Sequence, residues 1–186
     1  MKRFLKFGVP ALACAAGLFV GAAFAQEGGG GGAGGMGMPA WMTKGKEHDT
    51  LKKLEGNWDA NVTVMGQPAE PGKATNQLIL NGNFLEQRYS GQMGPMPFEG
   101  RLILGYDTLD KEWVAIWLDS MGPVFSISRG TEKDGVVTFK TNDPDMMDPT
   151  GKRKEGTMTV TWTSDTSYTL AMSQGAQQMQ IVYTKK

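Results

Sequence analysis

The sequence predicts an all-β protein, an up-and-down antiparallel barrel of about 8 to 10 strands with one short helix before it. Three observations predict it. Short runs in which apolar and polar residues alternate follow one another after Gly56. Turn residues separate these runs, and Asn81-Gly82 and Asp134-Gly135 are strong hairpin signals. Closing such hairpins into a barrel removes the exposed sheet edges, and a two-sheet sandwich is the alternative.

The first 25 residues are predicted to be a secretory signal peptide. Lys2, Arg3 and Lys6 give a positive start, and an apolar run continues to Phe24. Ala23-Phe24-Ala25 is the small-x-small pattern that precedes a cleavage site. We expect cleavage after Ala25 and a periplasmic or secreted protein, with a retained membrane anchor as the alternative.

Cys14 is the single cysteine and raises lipidation as a further alternative. A lipobox has a large aliphatic residue three positions before the cysteine, where this chain has Ala11. Without lipidation the mature chain has no cysteine, which excludes a disulfide, a thiolate nucleophile and a cysteine metal site.

Residues 26–40 are predicted to be a glycine-rich disordered tether, because 28–37 contain eight glycines. Residues 41–186 then form one barrel domain. Removal of the signal leaves 19 acidic and 16 basic residues, a formal charge of about −3. A mildly acidic chain without a basic cluster argues against nucleic-acid binding and docking on anionic lipid, and we expect no stable membrane insertion after cleavage. The sequence does not indicate which proteins, if any, are partners.

Residues 45–56 predict the one helix, in which Leu51 and Leu54 lie on one side and Gly56 ends the element. Further turns are predicted at 107–111, 164–167 and 174–177. In the first of these, Asp107 is expected to accept backbone N–H groups rather than to do chemistry.

The last three predicted strands have the clearest alternation. Period two puts apolar side chains on one face and mainly Thr, Ser and Gln on the other. The apolar set is Met158, Val160, Trp162, Tyr168, Leu170, Met172, Met179, Ile181 and Tyr183. These three strands are therefore expected to have a solvent-exposed polar outer face and an apolar inner face.

The strand at 113–119 is apolar on both faces. Trp113, Ala115 and Trp117 share one face, and Val114, Ile116 and Leu118 share the other. One face is expected to line the barrel. The other needs a cover, for which the helix at 45–55 is the spare element, unless the strand is central to a sandwich and a loop covers it.

Several segments together resemble a known bacterial family. They are "LEGNW" (54–58), "LNGNFLEQRYSG", "MGPMPFEGRLILGYDTLDKEW", "WLDSMG" and "NDPDMMDPTGK". The Gly-x-Trp of the first is similar to that of lipocalins and other calycin barrels, and the whole series resembles domain of unknown function 1579 across nearly all of 46–186. The resemblance implies a lipocalin-like barrel with Trp58 closing one end. It implies no established activity and no catalytic residues.

The predicted function is the binding of a small hydrophobic or amphipathic ligand inside the barrel, where apolar liners would surround it and a few polar groups would orient it. The candidate liners are Tyr106, Trp117, Met158, Trp162, Tyr168, Met172, Met179 and Tyr183, and the candidate anchors are Arg88 and Asp119. Asp119 alternatively caps a turn or pairs with an arginine, and Arg88 alternatively lies outside, paired with Glu86.

Two other functions stay open. The first is an enzyme that uses carboxylates at the barrel mouth, such as Glu86 with Asp119. The second is a filled barrel that serves as a structural or interaction module. His48 is the sole histidine, which argues against a histidine triad or a histidine-rich zinc site, and no nucleotide-binding motif is present.

Two motifs contain residues that could bind a metal ion, but a structural interpretation is favoured for each. The chain is rich in methionine, and Met93 and Met96 have a spacing that soft Cu(I) sites use, but they flank a Gly-Pro turn. Residues 142–152 carry three aspartates, but Asp148 and Lys154 stand where a calcium loop needs Gly and Glu. We therefore predict no metal and no cofactor.

Overall fold

The computed structural model describes residues 38–186. The predicted signal peptide, Cys14 and the part of the predicted tether before residue 38 lie outside the described residues. A 3-10 helix, Ala40–Met42, precedes helix α1, Lys46–Lys53. The strands are β1 Gly56–Val64, β2 Gln67–Pro68, β3 Gly72–Ile79, β4 Phe84–Met93, β5 Met96–Asp107, β6 Glu112–Asp119, β7 Phe125–Lys133, β8 Val136–Pro144, β9 Arg153–Ser164, β10 Ser167–Gln174 and β11 Gln177–Lys185.

Ten of these strands form a closed antiparallel barrel. β1 pairs with β3, each strand from β3 onward pairs with the next, and β11 returns to pair with β1. β2 is a two-residue strand that pairs with the end of β1. The prediction of an up-and-down barrel with one short helix before it is confirmed, and the sandwich alternative is wrong.

The tight turns follow from residues that accept positive φ. Asn81 and Gly82 have φ of 61° and 74°, and Asp134 and Gly135 have φ of 52° and 77°. The β3–β4 loop has four residues, 80–83, and Leu80 also has a positive φ, of 50°. Asp134-Gly135 is a two-residue loop between the paired Lys133 and Val136, and positive φ at both residues is what its type I′ turn requires. Met65-Gly66, with φ of 52° and 76°, joins β1 to β2 in the same way. The sequence did not predict that turn, because Met lacks the short polar side chain that signals it.

Helix α1 lies at one end of the barrel, which we call the closed end. Leu51 and Trp58 are fully buried, and the Trp58 indole N–H donates to the carbonyl of Leu54 over 2.9 Å. The Trp58 ring meets Tyr168 edge-on, with 4.8 Å between centroids. This arrangement agrees with the expected closing role of Trp58. The opposite end, where β4 turns into β5 and β6 into β7, is called the mouth.

The structure corrects one expectation about β6. Trp113 and Ala115 face the interior and are 1% and 3% exposed. The predicted lid over the other face of this strand is wrong, since the helix buries Leu51 in the interior core instead. Leu118 consequently remains 45% exposed on the outside.

Candidate functional site

The structure distributes the ten predicted site residues over three places. Trp117, Asp119, Met158, Met172 and Met179 face the interior in the half nearer the mouth. Tyr106, Trp162, Tyr168 and Tyr183 lie in the half nearer the closed end. Arg88 lies on the outer surface. The predicted set is therefore not one cluster, and partly exposed aromatic side chains occur in both halves, Trp117 nearer the mouth and Tyr106 and Trp162 nearer the closed end.

Two stacked aromatic rings dominate the mouth. Phe98 of β5 and Trp117 of β6 lie with 6.4 Å between ring centroids and 23° between planes, and both are partly exposed. Tyr89 of β4 meets Phe98 edge-on at 5.9 Å. These rings offer a small molecule a flat apolar surface that water already reaches.

Asp119 orients this surface. One carboxylate oxygen accepts the Trp117 indole N–H over 2.9 Å, and the other accepts the backbone N–H of Met121 over 2.9 Å. Of its predicted alternatives, capping a turn is the one that the structure shows. The carboxylate is only partly buried, and it fixes the orientation of the indole.

Two glycines make room for the large rings. A side chain at Gly100 would overlap the Trp117 indole, and a side chain at Gly72 would overlap the Tyr89 phenol. Each ring therefore lies flat across the backbone of a neighbouring strand, as Gly in a strand permits. The mouth depends on these two positions as much as on the aromatic residues.

A buried hydrogen-bond network lies deeper in the barrel. The Asn76 amide N–H donates to the Leu54 carbonyl over 2.9 Å. The Gln87 amide N–H donates to Asn76 over 3.0 Å and to the Tyr168 hydroxyl over 2.9 Å. Asn76 and Gln87 are 2% and 4% exposed. This network ties α1 to β3, β4 and β10 and leaves little space for a ligand there.

Burial shifts the pKa of the tyrosines around this network. Tyr168 stacks on Tyr183 with 4.4 Å between centroids and 14° between planes. Desolvation raises the pKa of both phenols above the ordinary value of 10.0. At neutral pH both are therefore uncharged members of the core. Desolvation also raises the pKa of Tyr106, which meets Trp113 edge-on at 5.6 Å.

Two indole N–H groups inside the barrel have no acceptor among residues 38–186. They belong to Trp113 and Trp162, whose rings are 6.1 Å apart. Buried polar groups in proteins nearly always have a partner. These two donors mark the part of the interior where an oxygen atom would be held most favourably.

The outer surface holds the groups that were considered for a carboxylate enzyme. The Glu86 carboxylate contacts Arg88 at 3.0 Å and Arg101 at 3.1 Å. Arg88 therefore takes the second of its two predicted alternatives, outside and paired with Glu86. Glu86 and Asp119 lie on opposite faces of the barrel wall, so they do not form the pair that was considered.

The possible metal motifs form turns. Met93 and Met96 are direct partners across the β4–β5 hairpin, 43% and 50% exposed. Asp145 accepts the N–H of Met147, and Asp148 accepts the N–H and hydroxyl of Thr150, which lowers the Asp148 pKa. Within the described range, no three His, Cys, Asp or Glu side chains are grouped so as to hold a metal ion.

Two open clefts lie on the outer surface of the described chain. The larger, of about 440 Å³, is mainly apolar and runs between Trp41, Phe84, Val114 and Ile116. The smaller, of about 340 Å³, is more polar and lies near Thr157, Ser173 and Gln178. Neither cleft was predicted, because period-two alternation assigns faces but does not show how side chains leave gaps between them.

The family can now be stated. The chain belongs to the family described as Protein of unknown function (DUF1579), whose model matches residues 43–185. The match spans α1 and all eleven strands. It confirms the predicted membership, and the closed barrel is consistent with a calycin-like fold. A comparison with curated proteins gives no match.

Sequence reasoning missed several residues of the DUF1579 barrel interior. Phe98, Leu102 and Val62 are partly buried against the core near the mouth, and Asn76 and Gln87 form the buried network. Extending the period-two pattern from Trp117 across the β5–β6 hairpin could have identified Leu102, the residue of β5 that pairs directly with Trp117. Alternation puts Gln87 on the same face as Leu85 and Tyr89, which could have indicated that it is buried, but its partner Tyr168 is 81 residues away in sequence and no local signal shows it.

Within residues 38–186, neither helix has the length and apolarity needed to cross a lipid bilayer.

Proposed function

We propose that this protein binds a small apolar or amphipathic molecule at the mouth of its barrel. The observation that carries the proposal is the graded exposure of the interior. Trp58, Phe139 and Tyr183 are at most 2% exposed, whereas Phe98 and Trp117 are partly open to water. Partly exposed aromatic rings gain more than buried rings do when a ligand covers them.

The polar groups limit the chemistry of the head group. Asp119 is the carboxylate beside the stacked rings, and it already accepts two N–H groups. A ligand that donates a hydrogen bond or carries a positive charge is therefore favoured over one with a carboxylate.

A titration with three twelve-carbon probes tests the proposal. Dodecylamine, dodecanol and dodecanoate are added below their micellar concentrations, and heat and tryptophan emission are followed. We expect saturable binding of the amine or alcohol. Trp117→Ala should weaken it about tenfold, since part of an aromatic side chain's burial is lost. Asp119→Asn should reduce the preference for the amine over the carboxylate.

Matched controls separate the mouth from the outer surface. Trp41→Ala removes a half-exposed indole that lines the outer cleft and should leave probe affinity unchanged. Trp117→Phe keeps the aromatic surface and should retain most binding. No saturable binding of any probe, or a loss with Trp41→Ala and not with Trp117→Ala, would overturn the proposal.

We also propose that the protein acts in the periplasm or outside the cell. The proposal rests on the positive start, the apolar run and the small-x-small pattern that ends at Ala25. The intact mass of the protein purified from whole cells of its own host, compared with that from the periplasmic fraction and the medium, tests it. A chain beginning at Gln26 supports the proposal, a mass retaining residues 1–25 contradicts it, and a lipid mass abolished by Cys14→Ser would show lipidation instead.

A further inference from the structure

The outer face of β4 to β7 is apolar. We define the outer apolar face by the side chains that are exposed or partly exposed there: Trp41, Phe84, Ile103, Leu109, Val114, Ile116, Leu118, Phe125 and Ile127. Its centre is a row of three isoleucines, since Ile103 pairs with Ile116 and Ile116 with Ile127. Isolated exposed apolar residues are ordinary on proteins, but a contiguous patch of this kind marks an interaction site.

The face has the size that one partner contributes to a stable interface. Phe125 and Ile127 are 55% and 54% exposed, and Trp41 and Leu109 are 51% and 67% exposed. At about 150–250 Å² for a whole aromatic side chain and less for an aliphatic one, the exposed apolar area is about 700 Å². A standard interface uses roughly 800 Å² from each partner.

The face carries opposite charges at its two ends. Along β5 and β6 the outward pairs run from Arg101 with Leu118, through Ile103 with Ile116 and Gly105 with Val114, to Asp107 with Glu112. At the arginine end, Arg88 and Arg101 share the carboxylate of Glu86. Arg153, which donates to the Phe125 carbonyl, offsets the outward Glu99, so that one excess positive charge remains.

The opposite end of the outer apolar face, called the acidic end, carries mainly carboxylates. On β5 to β7, Asp107, Asp110 and Glu112 outnumber Arg129 and Lys111 by one charge, and Lys140 of β8 lies beyond Arg129. The ion pairs of Arg129 with Asp110 and Glu112 are long, at 3.4 Å each. These carboxylates are therefore available to a second positive group.

The shape of the face is also complementary to itself. The cleft of about 440 Å³ occupies the acidic end, where Gly105 has no side chain and Phe84 lies over it. Leu118 and Phe125 are adjacent across β6 and β7 at the arginine end, 45% and 55% exposed. Raised apolar side chains at one end and a cleft at the other allow two identical faces to interlock.

We propose that a second copy of this chain covers the outer apolar face and forms a symmetric dimer. The two-fold axis lies in the plane between the two faces and is perpendicular to the strands. Its position along the strands is midway between Val114 and Ile116. It places the arginine end of each copy over the acidic end of the other, so that each contact occurs twice. The mouth takes no part, so the dimer is independent of the ligand proposal.

Sedimentation velocity on protein from the full coding sequence tests the dimer. We expect a dimer at tens of micromolar that dissociates on dilution, as for interfaces at the smaller end of the standard size. Ile127→Arg should weaken association at least tenfold, because it buries an unpaired charge. Met147→Arg, at a 78% exposed methionine outside this face, is the matched control and should leave association unchanged.

A charge exchange tests the orientation. Arg101→Glu and Glu112→Arg should each weaken self-association about tenfold, since each creates two like-charged contacts per dimer. A mixture of the two variants should restore it, because the mixed dimer again joins a glutamate to an arginine at both contacts. Circular dichroism confirms that each variant is folded.

Three results would overturn the proposal. The first is a wild-type monomer throughout the concentration series. The second is a dimer that persists unchanged in Ile127→Arg. The third is a mixture of the charge variants that associates no better than either variant alone. A face that binds dodecanol without self-association would show that a small apolar ligand, and not a second copy, is its occupant.

Discussion

Gln87 is the residue whose replacement tests the buried network most directly. It is 4% exposed, and its amide donates to Asn76 and to the Tyr168 hydroxyl. In Gln87→Met the volume and apolar character of the site are kept, but both partners lose a hydrogen bond inside the barrel. An unsatisfied buried group costs about 1–3 kcal/mol, and at about 1–2 kcal/mol for each of the two partners the free energy of unfolding should fall by about 2–4 kcal/mol.

Urea denaturation followed by tryptophan emission measures this change. With a slope of about 1–3 kcal/mol per molar urea, the midpoint should fall by about 1–2 M. Gln180→Met on the exposed side of β11 is the control and should change the midpoint little. Adding Tyr168→Phe should cost less in the Gln87→Met background than in the wild type, because one interaction is already gone.

The reasoning fails if Gln87→Met unfolds within about 0.5 kcal/mol of the wild type. It also fails if the two substitutions are strictly additive, since residues joined in one network are expected to couple by about 0.5 kcal/mol or more. Either result would mean that the barrel interior supplies other partners to Asn76 and Tyr168.

Three further predictions concern the core and the mouth. Tyr168 and Tyr183 have a pKa above the ordinary 10.0, so the unfolded chain loses these protons first and stability falls as the pH rises above 10.0. For each tyrosine, the free energy of unfolding should fall by up to about 1.4 kcal/mol per pH unit, which is seen as a lower thermal midpoint. A midpoint that stays constant from pH 9 to 12 would contradict this. Gly100→Val should displace the Trp117 indole, seen as a red-shifted or quenched emission with loss of probe binding, whereas an unchanged spectrum would show that the ring does not lie there. Phe139→Ala, at 1% exposure, should cost about 3–5 kcal/mol in urea denaturation, and a cost under about 1 kcal/mol would place Phe139 outside the core.

The topology was predictable because each hairpin is specified by residues close together in the chain. Asn81-Gly82 and Asp134-Gly135 accept the positive φ that the turns need, and few other dipeptides do so without strain. Alternation likewise assigned Met158, Tyr168 and Ile181 to the interior, where the structure places them. Local chemistry and local periodicity are enough when a chain pairs only with its sequence neighbours.

The site was less predictable because it depends on distant partners. Arg88 and Gln87 are adjacent and both polar, yet Gln87 is buried and Arg88 is exposed. The difference arises from Tyr168, which supplies Gln87 with a partner across the barrel. Alternation puts Gln87 on the face of Leu85 and Tyr89, which indicates the interior, but it does not show which group satisfies a buried amide there.

The two apolar faces of β6 connect the two proposals. Ile116 and Trp117 are neighbours in sequence, but the pleat of the strand sends Ile116 to the outer apolar face and Trp117 to the mouth. A change at Ile116 should therefore alter self-association without altering probe affinity, and a change at Trp117 should do the reverse. A strand that buried only one face would need no apolar residues on the other. This chain places Val114, Ile116 and Leu118 there, and helix α1 does not cover them, although Trp41 lines the same cleft as Val114 and Ile116. The cost of exposing that row to water is removed if a second molecule covers it, which is why the outer face argues for a partner and the mouth for a ligand.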